Sequence, residues 1–311
     1  MKSFNEIYKQ VYSENYEEEK LLKKKKVKTV LIALITLILA TVVLVMYVNS
    51  LEIKLTLAKW FTCIGILILL LCFLAALISI FMRREKYTTE FKKKIIEPLI
   101  ANIDENLSYK PIRGLSSVDY KQGEFEQFNN LYSDDLIIGK LDGKYDFQIS
   151  EVRTEYEAKD DDGKILAKFP LFTGLFGYVR CSKNIGIKLK IRSDKGKLGK
   201  LFEGKTKVEM DSQEFEKYFD VYGDNKVVAM QLLTSDVMKT MMDFIKLSRI
   251  KYEITIKNDR LYVRFHTGPM FEPKIFKSPL DYNMLKEYYD IIKFVLNVTK
   301  EVNKVIENMD I

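Results

Sequence analysis

Histidine and cysteine are nearly missing from this chain. His266 is the lone histidine in 311 residues, and the three cysteines are Cys63, Cys72 and Cys181. No Cys-x-x-Cys pair occurs, so neither an ordinary transition-metal site nor a disulfide framework is suggested. That usage fits a reducing, cytosolic setting, and no cofactor is expected. Net charge is small where it would signal nucleic acid. The first 82 residues carry +4 of the total +7, which leaves the remaining 229 near neutrality, and no nucleic-acid partner is expected. Those 229 residues are ample for a packed core.

Charge is also absent from two apolar runs, Val27–Val48 and Trp60–Met82, apart from Lys28 at one edge. A helix rises about 1.5 Å per residue, so each run can cross a hydrocarbon core of about 30 Å. The first run is too long for the apolar core of a signal peptide, and no small-residue cleavage site follows it. The expected arrangement is a transmembrane helical hairpin over 27–82, preceded by a cytoplasmic segment 1–26 and followed by a cytoplasmic domain 83–311. Lysines and arginines set the orientation. Lys20 and Lys23 to Lys26 precede the first helix, and Arg83, Arg84, Lys86 and Lys92 to Lys94 follow the second. The loop Asn49–Lys59 carries only Lys54 and Lys59, so both termini face the cytoplasm. Tyr47 and Trp60 fall where amphipathic rings settle at the headgroups. Neither run has an ionisable residue at its middle, as a transport pathway needs. Gly-x-x-x-Gly, the small-residue helix-dimer motif, is lacking as well. The hairpin therefore reads as a tether rather than a conduit, with the lipid bilayer as its partner.

Segment 1–26 places Phe4, Tyr8, Tyr12 and Tyr16 on one helical face, which reads as an amphipathic helix lying on the membrane or the domain, or as a docking peptide. The second helix is expected to continue to about Ile103 on Phe91, Ile95, Leu99 and Ile103, with Pro98 kinking or ending it. A helix over Ser117–Leu131 is predicted next. A strand Leu136–Leu141, the turn Asp142-Gly143 and a strand from Tyr145 follow, with a bulge at Ser150-Glu151 where the apolar alternation changes phase. Asp160-Asp161-Asp162-Gly163 lacks the distal Glu of a calcium loop and reads as a solvated hairpin turn. Strands fill 164–192, then a short strand Thr206–Met210 and a helix from Asp211 to Phe219. A helix capped by Thr234 runs to about Leu247, its methionine-rich face read as packing. A hairpin Ile250–Phe265 turns at Asn258-Asp259, and a helix Asp281–Met309 ends the chain. Its seam of Leu285, Tyr288, Ile292, Val295, Thr299, Val302, Ile306 and Met309 suits packing on its own sheet or a homo-oligomeric coiled coil. The class is α+β, mainly antiparallel.

Charge is segregated within the domain. From Tyr178 to Lys207 ten basic residues face Asp194 and Glu203 alone. Ile185, Ile187, Leu189 and Ile191 alternate with Gly186, Lys188, Lys190 and Arg192, a half-buried strand with a basic outer face. Lys183, Lys188, Lys190, Arg192, Lys195, Lys197, Lys200, Lys205 and Lys207 are therefore candidates to contact anionic lipid headgroups. Gly199 to Thr206 fits Gly-x-x-x-x-Gly-Lys-Thr, so Gly199, Gly204, Lys205 and Thr206 form a weak nucleotide-loop candidate. The motif works only with a helix opening at the Lys-Thr pair, whereas the residues after it read as a strand, and no apolar run ending in Asp supplies a magnesium partner. His266 lacks a nucleophile nearby, so no catalytic or metal residue is assigned.

Several stretches carry a resemblance. They are Asp134-Asp135-Leu136 through Gly139 and Gly143, Ser150-Glu151, Phe172-Thr173-Gly174-Leu175-Phe176, and Phe215-Glu216 through Phe219-Asp220-Val221-Tyr222. Leu232-Leu233-Thr234, Leu261-Tyr262-Val263 and Phe271-Glu272-Pro273 continue it. With two membrane helices ahead of them, these resemble the bacterial membrane proteins catalogued as domain of unknown function 3137. The resemblance implies architecture and an inner-membrane location, and brings no activity. The expected function is a non-enzymatic, membrane-anchored binding or scaffolding module. The alternatives are a nucleotide-dependent or hydrolytic membrane enzyme using 199–206, and an accessory subunit of a transport or envelope complex. Its protein partner is expected to be an unknown membrane protein, or a second copy through the C-terminal helix.

Overall fold

The computed structural model describes residues 3–50, 56–193, 207–273 and 278–309. The chain divides into two compact units, one of 9–95 with 273–280 and one of 1–8, 96–272 and 281–311.

In the first of these, α1 (Phe4–Ser50) and α2 (Thr56–Phe91) carry the two apolar runs without a break. The helices touch at two levels. Asn15 Nδ2 donates to Lys94 O at 3.3 Å, and a Cβ on Gly65 would lie 3.9 Å from Val43 Cγ1. Among the described residues, one segment, Val27–Met46, is long and apolar enough to cross a membrane, and none of it is buried. The side chains of Tyr47 and Trp60 lie outside the description. The helix beyond α2 continues as expected, but through a π turn, Lys92–Ile96, into α3 (Glu97–Ile103). Pro98 does not end it; it sits in the first turn of α3, directly after the π turn.

The other unit is built on one nine-stranded antiparallel sheet of order β1-β2-β3-β4-β9-β8-β5-β7-β6. Its strands are β1 (Leu107–Lys110), β2 (Asn130–Leu141), β3 (Tyr145–Lys159), β4 (Ile165–Arg180) and β5 (Lys188–Arg192). They continue with β6 (Lys207–Val208), β7 (Asp220–Gly223), β8 (Tyr252–Lys257) and β9 (Arg260–Phe265). The helices are α4 (Ser117–Gln122), α5 (Gln213–Glu216), α6 (Lys226–Leu232), α7 (Ser235–Ser248) and α8 (Tyr282–Glu307). The turns that join the hairpins are the ones the sequence names. Asp142 and Gly143 have φ of 51° and 69°, and Asn258 has 55°, the left-handed values a tight hairpin needs. The aspartate run closes the β3–β4 hairpin, with Lys164 N donating to Asp160 Oδ1 at 2.7 Å.

One face of the sheet carries Phe147, Ile149, Leu175, Leu189, Ile191, Ile254, Ile256, Val263 and Phe265, all buried. Helices α7 and α8 supply its cover. Phe294 stacks on Phe244 at 4.2 Å and meets Tyr252 and Phe265 edge-on. The seam of α8 is buried from Leu285 to Ile306, together with Ile291, Phe294 and Val298, a stripe wider than a coiled-coil seam. At the N-terminus Phe4 lies 5.0 Å from the Tyr282 ring and 5.4 Å from Tyr289, so the first aromatics of the chain pack on α8, whereas Tyr12 and Tyr16 stay exposed.

Three sequence expectations need correction. The helix predicted over Ser117–Leu131 ends at Gln122, and β2 begins at Asn130. The bulge lies on β2, at Asp135-Leu136 opposite Ser150, and not on β3. Strand β3 pairs with β4 without a shift from Phe147 to Thr154, but Phe147 and Ile149 face the helices while Val152 and Thr154 face the opposite cover, so the buried face changes without a slip there. Lastly, the polar face of β5 is not an outer face.

Candidate binding site

Alternation along β5, β8 and β9 puts every second residue on the face away from α7 and α8. The register aligns them in three rows across the sheet. Arg192 lies beside Glu253, Arg264 and Phe176. Lys190 lies beside Thr255, Tyr262 and Tyr178, and Lys188 beside Lys257, Arg260 and Arg180. Six cations on β5, β8 and β9 thus share this face with one carboxylate of the same strands, Glu253.

A strap, Gly114–Asn129, covers these rows. Ser116 caps α4 by accepting from Asp119 N at 3.1 Å, and the short helix drops Tyr120 onto Phe176 at 4.6 Å. Leu115, Tyr120 and Phe125 then close a cluster with Val152, Phe172, Phe176, Tyr178 and Tyr262. The charges meet inside this aromatic frame. The Arg264 guanidinium sits 4.5 Å from the Phe125 ring centre and 5.1 Å from that of Phe172. It is paired with Glu126 of the strap and, at 3.2 Å, with Glu253. Glu126 also accepts from Tyr120 Oη at 2.6 Å and Thr154 Oγ1 at 2.9 Å. Lys190 Nζ donates to Glu124 O at 3.1 Å and lies 5.0 Å over Phe125. The Glu124 carboxylate bridges Lys188 and Lys257. Gln122 accepts from Arg260 at 3.2 Å and from Tyr262 Oη at 2.9 Å, and Asp119 lies 3.6 Å from Arg260.

Glu253, 2% exposed, receives Arg192 Nε at 3.3 Å and has His266 Nε2 at 3.8 Å. Burial alone would raise its pKa. The His266 contact and the charges of Arg264, Arg192 and Lys190 outweigh that and hold the carboxyl well below the usual range. The same opposition acts on Arg264, where burial disfavours charge but Glu253, Glu126 and Tyr120 raise its pKa. Burial is the main reason the Tyr120 hydroxyl is pushed up. Glu253 and Arg264 are thereby held in their charged forms and Tyr120 in its neutral form. Among the described residues, Arg264 Nε and Thr255 Oγ1 are buried without a hydrogen-bond partner.

The sequence candidates are distributed as follows. Lys190 is 1% and Arg192 6% exposed, which removes both from any outer surface. Their strand looked half-buried because alternation does not reveal a strap whose Glu124 lies 66 residues before Lys190. Lys188 is engaged by Glu124. Lys183 Nζ donates to Glu307 O and Met309 O at 3.0 Å, satisfying carbonyls at the end of α8. Lys207 pairs with Asp220 at 2.9 Å. Lys195, Lys197, Lys200, Lys205, Gly199, Gly204 and Thr206 lie outside the described residues. The chain resumes at Lys207 as strand β6. His266 meets the edge of Phe172 at 5.3 Å. An open depression of about 540 Å³ is lined by Arg180 to Asn184 with Asn258 and Asp259. There burial pushes the Cys181 thiol up to about 12, which makes it unreactive. Sequence reasoning passed over Glu124, Glu126, Glu253 and Arg264. The signal was an acid and a base set opposite one another on the polar sides of a predicted hairpin.

No curated protein matches the chain. A solved structure, the crystal structure of the mycobacterial trehalose monomycolate transport factor A, TtfA, is similar with a TM-score of 0.37 and 6% identity, covering 67% of this chain and 94% of that one. Residues 170–304 match the family described as "Protein of unknown function (DUF3137)". From within β4 to the last turn of α8, therefore, the chain is similar to the DUF3137 family, the one its sequence motifs resemble.

Proposed function

We propose that the protein is a membrane-anchored, non-enzymatic binding module that holds its sheet domain on the cytoplasmic side of a bacterial inner membrane. The observation that carries this reading is the exposure of the apolar helices. Thirteen aliphatic or methionine side chains from Val27 to Met46 keep 45–61% of their surface exposed. Ile64, Leu67, Ile68, Leu70, Leu71, Leu74 and Ile78 of α2 keep 50–57%. Water-soluble proteins rarely expose contiguous apolar patches beyond a few hundred Å², and the core helix of a soluble protein would be buried. Hydrocarbon is the solvent such a surface fits. The stretch from Asn15 to Val43 is nearly as long as that from Gly65 to Lys94, which supports a hairpin, and the lysine-rich flanks support cytoplasmic termini. The strand face beneath the strap is the recognition surface in this reading, because its groups keep their charge and lie in complementary rows. Protease protection tests the arrangement. Trypsin added to intact spheroplasts should leave the domain whole, and trypsin added to inverted vesicles should digest it. Digestion in spheroplasts would reverse the orientation.

A further inference from the structure

The strap is bound to the strands in the way a peptide ligand is bound. We infer that Glu124-Phe125-Glu126 occupies, in cis, a site for an acidic peptide segment of a partner protein, one with an aromatic residue between two carboxylates. The inference rests on the binding-module reading above. Four observations carry it.

The first is complementarity. The Glu124 carboxylate lies between Lys188 and Lys257, and Glu126 meets Arg264. The Phe125 ring fills the gap between them, with Lys190 Nζ and the Arg264 guanidinium over it at 5.0 and 4.5 Å. Two acid positions and one ring position are thereby defined by groups on β5, β8 and β9.

The second is how the strap is held. Glu124 N donates to Lys121 O and Asn129 N to Glu155 O. Among the described residues, no main-chain hydrogen bond to another main-chain group is made by the N–H of residues 125 to 128. Side chains do the holding, so a peptide with the same side chains can replace them. The third is the conformation of Glu124, whose φ of 52° is one that non-glycine residues rarely adopt. A free peptide is not obliged to reproduce it.

The fourth is what the strap leaves unfinished. Arg264, 7% exposed, keeps its Nε unpartnered, and the fully buried Thr255 keeps its Oγ1 unpartnered. A buried guanidinium ordinarily uses its donors. The cis segment therefore fits the site without satisfying every polar group in it. Tethering gives the strap a millimolar-scale effective concentration, so an external peptide binds wild-type protein weakly, in proportion to the fraction of open strap.

The experiment uses the full chain in detergent micelles or nanodiscs and a fluorescein-labelled peptide with the sequence of residues 121–129. A second peptide carries glutamine at both acid positions. The protein variant E124Q/E126Q weakens the strap. It should bind the acidic peptide about tenfold more tightly than wild type, as expected from the loss of charge-assisted contacts. Adding K188Q/K257Q should abolish that gain, and the glutamine peptide should bind neither form. Equal affinity of wild type and E124Q/E126Q for the acidic peptide, or equal binding of both peptides, overturns the proposal. If E124Q/E126Q does not fold, amide exchange on wild type decides. Saturating acidic peptide should speed exchange at residues 123–129 and leave β8 and β9 protected, whereas unchanged exchange overturns the proposal. Membrane retention and protease protection are unaffected by either result, so failure here removes strap displacement and leaves the anchor reading to its own test.

Discussion

Glu253 shows what a single buried carboxylate does in this fold. It neutralises Arg192 and Arg264 from within the sheet, where water cannot. Replacing one member of a buried pair leaves the others uncompensated, at a cost of about 3–5 kcal/mol. E253Q should therefore lower the unfolding midpoint of the detergent-solubilised chain markedly at pH 7. The sign of its pH dependence follows from the lowered pKa. The stabilisation is complete above the ordinary carboxylate value of 4.5 and is lost as pH falls toward the depressed folded value. The gap between wild type and E253Q should accordingly narrow when denaturant titrations are repeated at successively lower pH. Gly174 makes a different demand, since a Cβ there would lie 2.0 Å from Phe265 O. G174A should cost about 1–3 kcal/mol through backbone displacement, read from the same titrations. Neither role was visible in the sequence. Glu253 and Arg264 appear there as the polar halves of alternating strands, and alternation assigns residues to faces without saying whether a face is covered. The cover comes from Tyr120, Phe125 and Phe128, which fall in the helix expected through Leu131 that ends at Gln122.

Elements with strong local chemistry were legible. The β8–β9 hairpin follows from strict alternation and a left-handed Asn258, and α7 from the Thr234 cap, which accepts from Val237 N at 3.4 Å. Helix α8 follows from its periodic seam and from Asp281, which accepts from Met284 N at 2.8 Å. D281A should destabilise by about 1 kcal/mol, the usual value of an N-cap. F294A should cost about 3–5 kcal/mol, because Phe294 joins α7 to β8 and β9. A midpoint shift for F294A no larger than that for D281A would mean that α8 does not close the core. Strands β1 and β7, four residues each, are too short for alternation to register. Helix α6 was missed as well. It depends on Asn225, which accepts from Val227 N and Val228 N at 3.0 and 3.2 Å, a cap followed by only seven helical residues.

At the scale of the molecule, the proposed anchor gives one chain two solvents. The sheet unit buries apolar side chains on both of its faces, as a water-soluble domain does. Thirteen large apolar side chains of Val27–Met46 and seven of α2 from Ile64 to Ile78 do the reverse and stay exposed. The apolar runs were plain in the sequence because length and hydropathy need no tertiary context. The segment joining soluble and apolar chemistry is also local: the π turn at Lys92–Ile96 carries the helix from α2 into α3 ahead of Pro98. The central claim is that the apolar helices are solvated by lipid. Alkaline carbonate extraction of membranes from cells expressing the full chain, or a chain lacking residues 27–82, tests it most directly. The account predicts the full chain in the pellet and the shortened chain in the supernatant. Release of the full chain into the supernatant would contradict it.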